Sequence, residues 1–114
     1  MKNNAYILDW TMDEYDSLKQ ELSDSEFEFE QEEGKGHIKV TVPFDKKDDF
    51  GRIVENHLTV PNYVDIQFPE EKTTVVVFQN NTFTINNQEK NEEIRKWAIE
   101  QGLPEEQADW VTNF

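Results

Sequence analysis

The sequence predicts an α+β fold, a single small domain over residues 1–114 in which a mainly antiparallel sheet of hairpins is covered on one face by helices. Three observations carry that reading. Residues 26–31 and 37–42 alternate apolar and polar with the period of a strand, on either side of a Gly-containing turn. Phe50, Ile53, Val54, His57 and Leu58 recur at helical spacing. Residues 63–86 hold further strand-forming runs punctuated by turn residues. The predicted order is β-α-β-β-α-β-β-β-α-α.

Residues 5–10 form a short apolar strand. Thr11 and Glu14 then have the spacing of a capping box, so a helix is expected from that point. Met12, Tyr15, Leu18 and Leu22 fall on one side of it, and Asp13, Glu21 and Asp24 on the other. In residues 26–31, Phe27 and Phe29 point inward and Glu26, Glu28 and Glu30 outward. Ile38, Val40 and Val42 are the inward residues of the partner strand. Matching the apolar faces leaves two registers, in which Lys39 lies opposite either Glu28 or Glu30.

The second helix covers roughly 46–58, with Gly51 a mild cost inside it. Residues 63–68 and 73–79 make a hairpin, and Asn80-Asn81 turns the chain into a last strand. A three-residue loop at 69–71 places Val64, Ile66, Phe68, Val76, Phe78, Phe83 and Ile85 on one face and turns Val75 and Val77 away. Ile94, Trp97 and Ala98 stripe a third helix that Gly102 closes. Pro104 opens a final one, with Leu103, Gln107, Trp110 and Phe114 at buried spacing. Helix and hairpin thus occur twice, though with little side-chain identity between the two copies.

Composition limits what such a domain does. Asp and Glu number 25 against 11 Lys and Arg, a formal charge of −14. The count of Leu, Ile, Val and Phe is 29 of 114, above the roughly 20% below which charged chains stay disordered. No apolar run reaches the roughly 18 residues of a membrane span, and residues 1–5 have no apolar signal character, so a cytoplasmic protein is expected. The lack of cysteine excludes disulfides, thiolate metal sites and thiol nucleophiles. The acidity repels nucleic acid and anionic membrane alike.

Catalytic signals are weak. His37 and His57 are the two imidazoles, without metal-ligand spacing, and no hydroxyl sits in a nucleophile motif. Residues 45–56 depart from a calcium loop at the sixth position, Phe50, and the twelfth, Asn56. Asp9 and Asp65 are the acids most closely flanked by apolar residues, the setting that raises a carboxyl pKa, but a glycosidase needs two of them across a groove. The expectation is therefore a non-enzyme with no cofactor and no metal.

The charge itself is the remaining signal. Residues 9–33 hold eleven acids against Lys19 alone. Outward Glu26, Glu28 and Glu30 would repeat about every 6.7 Å, twice the strand rise, which matches every second phosphate of a DNA strand at about 3.4 Å per charge. The expected partner is a basic, nucleic-acid-binding protein, held through Asp13, Glu21, Asp24, Glu26, Glu28, Glu30, Glu32 and Glu33 as a decoy for phosphates. In composition alone the chain resembles phage-encoded antagonists of nucleases and immunity proteins of nuclease toxins. The alternative is an interaction module or self-associating homodimer with a solvated acidic face and an apolar contact at Val75, Val77, Trp110 and Phe114.

Overall fold

A computed structural model describes residues 2–31 and 36–112. It is an α+β fold with strands β1 (Lys2–Leu8), β2 (Glu28–Gln31), β3 (His37–Pro43), β4 (Val64–Phe68), β5 (Thr73–Phe78) and β6 (Asn81–Ile85). Among the described residues the helices are α1 (Tyr15–Asp24) between β1 and β2, α2 (Lys47–Glu55) between β3 and β4, and α3 (Gln88–Glu100) after β6. The strands form two antiparallel three-stranded sheets, ordered β1-β3-β2 and β4-β5-β6. The sheets lie edge to edge, β1 against β4, where the Asn3 side-chain amide donates to the Gln67 carbonyl.

Alternation decides which face of the first sheet is buried. Ala5, Ile7, Ile38, Val40 and Val42 are fully enclosed, and Phe27 nearly so. They share one core with Leu18 and Leu22 of α1 and Phe50 and Val54 of α2, and that core continues onto Val64, Ile66, Phe68, Val75 and Val77 of the second sheet. The reverse face of the second sheet carries a separate core, in which Val76, Phe78 and Ile85 meet Ile94 and Ala98 of α3 and Trp110. The expected one-sided covering therefore holds for the first sheet, whereas the second is covered on both faces.

Helix α1 begins later than its capping box predicts. Residues 9–11 form a 3-10 turn, in which the Thr11 hydroxyl donates to the Leu8 carbonyl at 2.6 Å instead of capping a helix. Met12 bridges Leu58, the Asp13 amide donates to the His57 carbonyl at 2.7 Å, and the Thr59 amide donates to the Thr11 carbonyl at 3.0 Å. This pairing ties residues 11–13 to residues 57–59, and the helix starts after Glu14, which takes a left-handed φ of 51°. Tertiary pairing outweighs the local signal here.

The β4–β5 hairpin corrects a second expectation. Its loop has four residues, 69–72, closed by a Lys72 amide to Pro69 carbonyl bond of 3.1 Å with Lys72 at φ 51°. Val64 therefore pairs with Val77, Ile66 with Val75 and Phe68 with Thr73. The one-residue slip moves Val75 and Val77 into the main core and Val76 and Phe78 to the α3 side, where Phe83 and Ile85 accompany them. The turn into β6 is at Gln79-Asn80, Asn80 having φ 63°, rather than Asn80-Asn81.

Gly51 is more than a tolerated helix defect. A Cβ at this position would lie 2.5 Å from the Thr82 hydroxyl oxygen and 2.7 Å from its methyl, so the glycine sets how closely α2 approaches β6. Gly102, at φ 109°, closes α3 as expected. After Pro104 the chain makes only a 3-10 turn at residues 105–107, in place of the predicted last helix. The following segment is tied to α3 by the Arg95 Nε donating to the Ala108 carbonyl at 2.9 Å and by the Trp110 indole donating to Asn91 Oδ1 at 2.8 Å.

Candidate functional site

Among the described residues no helix lies over the outer face of the first sheet. Its exposed positions are Asn4, Tyr6 and Leu8 on β1 and Glu28 and Glu30 on β2, with half-buried His37, Lys39 and Thr41 on β3 between them. Of the two registers open to the hairpin, Glu30 faces Lys39 and the two form an ion pair at 2.9 Å. Glu26 lies outside β2, with φ 65°, because the chain is still leaving α1 there. It nevertheless lines a shallow hollow with Glu28, Thr41 and Pro43, while Glu28 and Glu30 line the next with Asn4, Lys39 and Thr41. The three glutamates thus follow one another along the edge of the sheet. Glu32 and Glu33 lie outside the described residues.

The helix acids do not extend this row. Helix α1 packs on the buried side of the same sheet, so Asp13, Glu21 and Asp24 belong to the other side of it. Each also has local work. Asp13 precedes the helix in the extended pairing with residue 57, Asp24 accepts a 2.9 Å bond from Gln20, and Glu21 is bonded to His57. His57 is buried. Its Nδ1 meets the Asp13 carbonyl at 2.9 Å and its Nε2 meets the Glu21 carboxylate.

At the other end of the outer face the sequence pattern misleads. Trp10, a large apolar residue, is 70% exposed, and Tyr6 beside it is 53% exposed. Trp110, expected to face a partner, is 7% exposed and packs edge-on against Tyr63 and Phe78. Val75 and Val77 are fully enclosed, so three of the four residues assigned to an apolar contact are core residues. The fourth, Phe114, is outside the described residues. The missed signal was alternation: Tyr6 and Leu8 have the parity of Asn4, opposite to the buried Ala5 and Ile7.

Where β1 and β4 abut, a cleft of about 290 Å³ opens on this face, bounded by Tyr6, Leu8, Trp10, Tyr63 and Asp65. Tyr63 is fixed by its hydroxyl, which lies 3.0 Å from the Gln107 carbonyl and 3.3 Å from Asp109 Oδ1. Burial pushes the Tyr63 hydroxyl pKa well up, and the charges of Asp65 and Asp109 push it further. Asp65 accepts from the Gln67 amide nitrogen at 2.9 Å, and the Gln67 carbonyl oxygen in turn lies 2.9 Å from the Thr74 hydroxyl. Burial raises the Asp65 carboxyl pKa against the lowering effect of that Gln67 bond and of its own backbone amide, and Asp109 adds to the rise. Trp10 also borders a second, open hollow with Asp9, Glu14 and Asp16.

Among the described residues no group of three or more His, Cys, Asp or Glu is placed to hold a metal ion. No helix there is long and apolar enough to cross a membrane. No protein-family model, curated protein or solved structure matches the chain.

Proposed function

We propose that this chain is a non-enzymatic binding protein whose outer sheet face docks a basic protein, occupying the groove that a nuclease or other nucleic-acid-binding protein offers to phosphates. The observation that carries the reading is the composition of one uncovered face: Glu26, Glu28 and Glu30 along its β2 edge and exposed Tyr6 and Trp10 at its far side. Carboxylates steer a basic partner and fix its orientation. Exposed aromatic residues supply the desolvated anchors that hold most of the energy in protein interfaces. A charge of −14 exceeds the magnitude of about 2 to 8 that solubility asks of a small domain.

The test is capture from nuclease-treated lysate by the wild type, by a Glu26→Gln/Glu28→Gln/Glu30→Gln variant and by Trp10→Ala. The expected result is a basic nucleic-acid-binding protein held by the wild type, released by a DNA duplex and by about 0.5 M salt, where screening acts within a few ångströms. Both variants should lose it while unfolding within about 0.5 kcal/mol of the wild type, as exposed substitutions do. Retention of the same partner by the triple variant would overturn the decoy reading.

A further inference from the structure

We propose that the cleft between β1 and β4 is an arginine-binding site, receiving one arginine side chain of the basic partner. This deepens the reading above and rests on it. Tyr6, Trp10 and Tyr63 line it together with aliphatic and neutral polar residues, and Asp65 is the acid among its lining residues. Aromatic faces attract a cation through their quadrupole, and the planar guanidinium adds stacking and a two-pronged match to a carboxylate that an ammonium lacks.

Asp65 is prepared for such a ligand. The Gln67 side-chain nitrogen lies 2.9 Å from one carboxylate oxygen and donates to it. That bond favours the ionised form, which burial opposes, and a cation entering the cleft removes the opposition. The surroundings are negative on two sides. Asp109 lies beyond Tyr63, and Asp9, Glu14 and Asp16 border the hollow on the other side of Trp10. At about 290 Å³ the cleft falls just below the roughly 300 to 1,000 Å³ range of small-molecule pockets, a size that suits a single side chain.

The probe is N-acetyl-arginine N-methylamide, titrated against the full chain while the Trp10 indole and the Tyr6 and Val64 amide NMR signals are followed. The uncharged citrulline analogue and the lysine analogue serve as comparisons. The expected result is saturable shifts at those three positions with the arginine compound, weaker binding of lysine, and none of citrulline. Asp65→Asn should weaken binding at least about tenfold, equivalent to about 1.4 kcal/mol. Trp10→Ala, at an exposed position that leaves the fold intact, should abolish the shifts at Tyr6 and Val64. Glu28→Gln/Glu30→Gln, outside the cleft, should bind the probe within about twofold of the wild type. Binding should also weaken as the pH falls through the raised Asp65 value.

Citrulline binding as well as arginine, lysine binding equally, undiminished binding by a folded Asp65→Asn, or no shifts at all would each overturn the site. The two readings fail separately. A partner lost by the glutamate variant but no arginine binding leaves the docking face and removes the cleft. Arginine binding with no basic protein captured removes the decoy reading and leaves the cleft as a guanidinium site.

Discussion

His57, closed into the junction of α1 and α2, is bonded through Nε2 to the carboxylate of Glu21, thirty-six residues earlier in the chain. Its Nδ1 lies 2.9 Å from the Asp13 carbonyl, so the one imidazole bridges the start of α1 and its second turn. His57→Ala leaves the Asp13 carbonyl and Glu21 without this buried partner, and a loss of about 2 to 3 kcal/mol in urea unfolding is expected. Because Glu21 is 44% exposed, solvent screens its share, and a double-mutant cycle with Glu21→Gln should give a coupling of about 1 kcal/mol. Additive effects would show that the helices meet without this bond.

Gly51→Ala tests the close approach of α2 to β6. A helix interior gains about 1 kcal/mol from replacing glycine by alanine. Here the new methyl would meet Thr82 at 2.5 to 2.7 Å, so the gain is reversed and a net loss of about 1 to 3 kcal/mol is expected in thermal unfolding. Adding Thr82→Ala removes both clashing atoms and should restore most of it.

Asp65 ties stability to pH in an unusual direction. Below the unfolded value of 3.8 both states hold the proton. Above it the unfolded chain releases the proton first, so the folded state binds more protons and this contribution to stability falls as the pH rises, until the folded carboxyl also ionises. Asp65→Asn cannot ionise. Its stability relative to the wild type should therefore be greater at pH 7 than at pH 3, and an equal difference at the two pH values would show that burial does not oppose this charge.

Trp110 distinguishes a core residue from a contact residue. Trp110→Ala should cost about 3 to 5 kcal/mol, the range for a large aromatic removed from a core, with Asn91 left buried without its indole donor. Trp110→Phe keeps most of the packing and should cost less, about 1 to 2 kcal/mol for the lost bond. Unchanged stability in Trp110→Ala would return the residue to the surface.

The strands and helices of this fold were legible wherever one face was buried and the other wet. In β3, His37–Pro43, the pattern is clean because one side meets the core and the other meets solvent. Strand β5 resisted reading for the opposite reason. All six of its residues are buried and its valines occupy both faces, so no alternation selects the register and the loop length decides it. The start of α1 was hidden in residues 57–59, whose pairing with 11–13 no local signal reveals. Glu28 and Glu30 were found because their face is simple. Trp10 was missed because its exposure depends on where β1 ends, at Leu8, rather than on hydrophobicity.

Strand β2 is the terminal strand of its sheet, only four residues long, with Glu28 and Glu30 on its face. Such an edge invites pairing with another strand, and short length and charge are the means by which proteins discourage stacking into fibrils. The same carboxylates proposed to meet a partner therefore also guard the molecule against its own copies. Replacing them by glutamine weakens that guard, and variants stripped of the acids should form amyloid-like aggregates sooner on storage at high concentration than the parent chain does.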